Sequence, residues 1–162
     1  MTLAFLVLVE AALFVVTMVL ANIERTRVAG EYAGTGFHLL LLPVVVGVPA
    51  ALAGQASGFL WVACDVIAST GLIWASRDAS GTGTPIYNAV RMAGHLFAGV
   101  WIAAVSWRLG GAGLAVGWAL AAGFAIYTLA AGRLPAKVLA VPGPLMAAWL
   151  LLLARHAQEA GL

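Results

Sequence analysis

The chain has 162 residues, 64% of them apolar and 9% charged, against roughly 25% charged in ordinary soluble domains, and this composition is that of an integral membrane protein. Breaks between the apolar runs are too short for a separate soluble domain of the usual ~50 residues or more, so residues 1–162 read as a single transmembrane domain in a lipid bilayer. A formal charge of +2 without a basic run argues against nucleic acid as a partner, and the lone Cys64 rules out an intrachain disulfide, a CxxC redox pair and a cysteine-based zinc site.

A membrane span needs about 20 apolar residues, with roughly 17 to 25 allowed. Six segments meet this: Thr2 to Asn22, Phe37 to Gly54, Gly58 to Ser76, Pro85 to Trp107, Ala112 to Ala131 and Ala136 to Arg155. The predicted fold is therefore an all-α polytopic bundle of about six transmembrane helices. Helices two and six are expected to be broken, the second by Pro43, Gly47 and Pro49 and the sixth by Pro142-Gly143-Pro144. A five-span arrangement with a re-entrant end is the alternative.

The first segment reads as a retained span. No Lys or Arg precedes Arg25, and Glu10 interrupts what would be the apolar core of a signal peptide. Loop charges set the orientation. With the N-terminus outside, the inner loops hold Arg25, Arg27, Arg77, Arg133 and Lys137, and the outer side holds Arg108 and Arg155. The expectation is a multi-pass cell-membrane protein with both termini outside the cytoplasm. Trp107 and Trp149 fit an outer aromatic belt, whereas Trp61, Trp74 and Trp101 serve equally well as packing residues.

Gly34-Thr35-Gly36 precedes segment two, and Gly81-Thr82-Gly83 precedes segment four and runs into Thr84-Pro85, an N-cap followed by proline. Such turns can offer backbone N–H groups to an anion, although no GxxxxGK[ST] accompanies them. In segment five, Gly113, Gly117 and Ala121 recur at four-residue spacing, a small-residue face that lets another helix approach. Interior packing is the plain reading; a homo-oligomer or complex seam is the other.

Chemistry concentrates in three segments. At about 100° per residue, Asn88, Arg91, His95, Gly99, Ile102 and Ser106 form one stripe of segment four. Glu10, Thr17 and Glu24 share a face of segment one, and Asp65 lies on a serine-bearing stripe of segment three. At about 1.5 Å per residue, Glu10, Asp65 and His95 fall in one layer roughly 15 to 18 Å into a ~30 Å core. Arg91 sits one turn nearer the inner face, and Asn88 lies near its mouth. Ionisable groups at such depth look into the bundle interior or a watered cavity. Two carboxylates there need a cation, which only Arg91 supplies, and His95 adds a group that titrates near neutrality.

The leading reading is binding or translocation of a small solute or ion at this midplane site, with proton coupling. The competing reading is a clamp in which Arg91 pairs with Asp65 or Glu10 and nothing passes. A non-catalytic anchor or accessory subunit of a membrane complex, and an intramembrane enzyme acting on a lipid or isoprenoid, are the remaining classes. A bis-histidine haem is disfavoured, because His38, His95 and His156 are expected at three different depths. Glu10, Asp65 and His95 are chemically competent for a metal but carry no ligand-spacing motif, and no GxSxG or HExxH is present.

Overall fold

A computed structural model describes residues 2–77, 83–130 and 141–162. Six α-helices and no strand occur among them: α1 (Leu3–Ala21), α2 (Arg27–Gly47), α3 (Leu52–Ala75), α4 (Thr84–Leu109), α5 (Gly111–Leu129) and α6 (Pro142–Glu159). All but α6 are long and apolar enough to cross a membrane. Each helix packs on its neighbour in sequence, and α6 returns to α1, so the six close into a ring.

The largest departure from the expected spans is in α2, which begins at Arg27, ten residues before the predicted start at Phe37. Glycines and Glu31 gave residues 27–36 the look of a loop. Instead Gly34-Thr35-Gly36 lies within helix, where Thr35 Oγ1 donates to Glu31 O at 2.9 Å. Its N–H groups belong to the helix, so this copy of the glycine turn cannot hold an anion. The second copy lies largely outside the described residues, as do Arg133 and Lys137.

Proline and glycine break helices two and six at their ends. α2 runs through Pro43 and stops at Gly47, just before Pro49. One of the carbonyls in its last turn, that of Val45, accepts from the Gln55 side chain. Pro142 takes the first position of α6, where its missing N–H costs nothing. α4 starts at Thr84 with Gly83, not Thr84, in the cap position. Gly110 and Gly111, with φ of 64° and 43°, turn the chain from α4 into α5 with a single residue between the helices.

The two halves of the ring differ. At the end formed by the start of α1 and the ends of α2, α4 and α6, the interior is filled by Val7, Leu41, Val44, Val105, Leu150 and Leu153. Trp61, Trp101 and Trp149 meet edge to face or tilted across the middle, with ring centroids 5.7 and 5.5 Å apart. Trp149 is fully buried and donates from Nε1 to Ser106 Oγ at 2.7 Å. It is part of the core, not of the aromatic belt expected for it. Trp74 and Trp107, at opposite ends of the ring, are exposed at positions that suit an interface. Apolar side chains including Phe5, Val46, Ile67, Val100, Leu129 and Leu151 cover the outside of all six helices, as a bundle surrounded by lipid requires.

The small-residue face of α5 is used within the chain. A Cβ at Gly117 would lie 1.7 Å from Ser106 Oγ and 2.8 Å from Trp149 Nε1, and one at Gly99 would lie 3.3 Å from Ala121 O. Gly117 is thus where α4, α5 and α6 come together.

Candidate functional site

The other half of the ring is open inside. A cavity of about 230 Å³ lies on the axis and draws its wall from all six helices. Since α1, α3 and α5 contribute mostly from their C-terminal halves and α2, α4 and α6 mostly from their N-terminal halves, with Trp61 and His38 near the middle, the cavity runs from mid-bundle toward one end. Phe14, Phe37 and Trp61 stand at its base, with ring centroids 5.4 Å apart for Phe14 and Phe37 and 6.4 Å apart for Phe37 and Trp61. The tryptophan layer beyond them closes the far side.

Charged residues gather on one wall. Glu31, His38, Asp65, Arg91 and His95 all line the cavity. Arg91 donates from Nη1 to Glu31 Oε1 at 3.1 Å and from Nη2 to Glu31 Oε2, a bidentate pair that suits the planar guanidinium. Its Nη2 also reaches Ser69 Oγ at 2.9 Å, and its Nε stands 3.8 Å from Asp65 Oδ1. Four oxygens from three side chains therefore surround one cation, with Glu31 the closest partner.

Asp65 is only 2% exposed, and its Oδ2 has no hydrogen-bond partner. His38 Nε2 approaches that oxygen to 3.6 Å. The other ring nitrogen, Nδ1, lies 2.7 Å from Gly34 O. A carbonyl oxygen can only accept, so Nδ1 carries a proton. A neutral His38 therefore turns a lone pair toward Asp65 Oδ2. Two lone pairs repel, and one added proton, on either atom, makes the approach attractive. Gly94 gives Asp65 room, since a Cβ there would stand 2.9 Å from Oδ2.

His95 lies on the adjoining face. Its ring stacks on Phe124 and meets Tyr127 edge-on, both at 5.2 Å, and its Nδ1 is buried without a partner.

Of the five residues singled out from the sequence, Asp65, Arg91 and His95 share this cavity. Glu10 does not. It is fully buried, one turn below Phe14, and neither of its oxygens has a hydrogen-bond partner. Arg91 is engaged elsewhere, so the expected pairing of Arg91 with Glu10 is corrected. Asn88 is exposed and lies off the cavity wall. Two members were missed: Glu31, placed in a loop by the late start of segment two, and His38, placed at the membrane edge for the same reason. With α2 starting at Arg27, the spacing of Glu31, Gly34 and His38 would have put them on one helical face.

This also removes the depth argument against a haem, because His38 and His95 line the same cavity. Size is now the relevant limit. A cavity of ~150 Å³ holds benzene, and this one, at about 230 Å³, has room for a ligand not much larger. Among the described residues, no three His, Cys, Asp or Glu side chains converge on a point where a metal ion would sit. No protein-family model, curated protein or solved structure matches the chain.

Proposed function

We propose that this protein binds a small solute or ion in the central cavity and carries it across the membrane, with a proton shared by His38 and Asp65 coupled to the movement. The observation that carries this reading is a cavity walled by six helices, with aromatic residues at its base and, in its lining, the buried Asp65 carboxylate, one oxygen of which has no hydrogen-bond partner among the described residues. Midplane sites at the meeting of several helices are where transporters hold substrate. Alternating access requires such a cavity to open to each side in turn.

The positive-inside rule supports one orientation: Arg25 and Arg77 at the cavity end of the ring favour that end toward the cytoplasm and both chain ends outside it. Passage to the far side then requires the Trp61, Trp101 and Trp149 layer to part. An accessory-subunit role asks for no internal cavity and leaves Asp65 Oδ2 without purpose, so it is the weaker reading.

The test is reconstitution of the purified chain into proteoliposomes enclosing a pH-sensitive dye, with a membrane potential imposed by potassium and valinomycin. Proton or solute flux above that of empty vesicles, lost in Asp65→Asn, is expected. A stable, monodisperse wild-type protein that moves neither protons nor small solutes would overturn the proposal.

A further inference from the structure

From the cavity wall we infer the class of solute: a monovalent organic ammonium, bound against Asp65 in exchange for the proton that Asp65 and His38 otherwise share. This deepens the transport reading and rests on it.

Charge is the first ground. Among the described residues of the wall, Arg91 faces two carboxylates, Glu31 and Asp65, so with neutral histidines they carry one negative charge in excess. One proton on the His38 and Asp65 pair balances it, and so does one monovalent cation. Among the described residues an anionic solute finds no partner, because Arg91 is already held by Glu31, Ser69 and Asp65.

The second ground is the aromatic share of the cavity lining. Phe14, Phe37, Trp61, Phe124 and Tyr127 supply aromatic faces and edges to the same cavity. Aromatic faces attract organic cations, and cages of them recognise quaternary ammonium groups. A hard inorganic cation such as Mg²⁺ or Ca²⁺ needs about six oxygen ligands or more. Here the Thr17 hydroxyl bonds Leu13 O, and the Ser69 hydroxyl holds Arg91. An ammonium carried on a small apolar body, its charge offset by the buried Asp65 carboxylate in the lining, fits what is left. The cavity volume of about 230 Å³ admits a single ring-sized group with its head.

The titratable and charged groups around Asp65 come from two neighbouring helices: Glu31 and His38 on α2, Arg91 and His95 on α4. On the remaining wall, Tyr127 of α5 is the one other titratable group among the described residues, and α1 and α6 supply none. Among the described residues, His95 has no carboxylate within ion-pair distance. The exchanged proton is therefore assigned to the His38 and Asp65 pair.

The experiment uses the full-length protein in detergent with three ring-sized probes of different charge: benzyltrimethylammonium, benzyl alcohol and benzoate. Binding is read from tryptophan fluorescence, to which Trp61 reports from the cavity wall, and proton release is read with a dye in weak buffer. Benzyltrimethylammonium should bind with release of one proton, with affinity rising about tenfold per pH unit where the pair is protonated. Asp65→Asn should abolish this binding, while the wild-type proton count needs no variant and stands even if that one fails to fold. Equal or tighter binding of benzoate or benzyl alcohol would overturn the cation assignment and leave the cavity as a solute site. Cation binding without proton release would overturn the exchange. Absence of all binding alongside Asp65-dependent proton flux would sink the ammonium alone, and absence of both binding and flux would sink the transport reading with it.

Discussion

Arg91 and Glu31, sixty positions apart in sequence, form a bidentate pair that ties α4 to α2 beside the cavity. Asp65 stands at 3.8 Å from the same guanidinium as a second, more distant counter-charge. Both members of the bidentate pair are largely but not fully buried. The balance of these two carboxylates is the basis for separating structure from function in this site.

Glu31→Gln should destabilise more than Asp65→Asn. Breaking a buried ion pair from one side costs about 3 to 5 kcal/mol. With Asp65 still nearby and some solvent access, a loss of about 2 kcal/mol is expected for Glu31→Gln. The double change Glu31→Gln with Arg91→Met should recover most of it. Melting temperatures of the singles and the double check this, and strictly additive losses would show that the pair is not coupled.

His38 and His95 should separate in proteoliposomes. His38→Phe removes the nitrogen facing Asp65 and should abolish proton coupling. His95→Phe keeps a ring against Phe124 and Tyr127, conserves volume, and should change stability by less than about 1.5 kcal/mol. It should weaken solute binding but leave the one-proton stoichiometry in place. Loss of coupling in His95→Phe with retention in His38→Phe would reverse the assignment.

Gly117→Ala should destabilise without altering oligomeric state. The new methyl would overlap Ser106 Oγ at 1.7 Å, and overpacking of this kind typically costs about 1 to 3 kcal/mol. Ser106→Gly in the same chain removes the clashing group and should restore part of the stability, at the expense of the Trp149 hydrogen bond. A shift in oligomer size with unchanged melting temperature would show that the small-residue face serves an intermolecular seam after all.

Orientation can be read by cysteine labelling. In a Cys64→Ala background, a cysteine at Gly110 should react with a membrane-impermeant maleimide added to intact cells. One at Thr26, at the cavity end, should react only after permeabilisation. The reverse pattern would place the cavity mouth outside the cytoplasm.

Much of this architecture follows from composition alone. Long apolar runs must become helices in lipid, where no water can satisfy exposed backbone groups, and this is why α1, α3, α4 and α5 lie within a few residues of their expected limits, α3 starting six residues early. The stripe of Arg91 and His95 also followed from sequence, because helical periodicity is local. The true extent of α2 did not. A hydropathy pattern counts Glu31, the flanking glycines and His38 as exposed polarity, whereas in the ring their polar face looks into a cavity and Gly30 packs against Ala21. Nor does sequence carry the azimuth of one helix against another. Depth placed Glu10 in the same layer as Asp65, but only the closure of α6 onto α1 and the packing of α2 on α3 decided the outcome. That packing left Glu10 sealed without a partner, sent Arg91 to Glu31, and brought His38 to within 3.6 Å of Asp65.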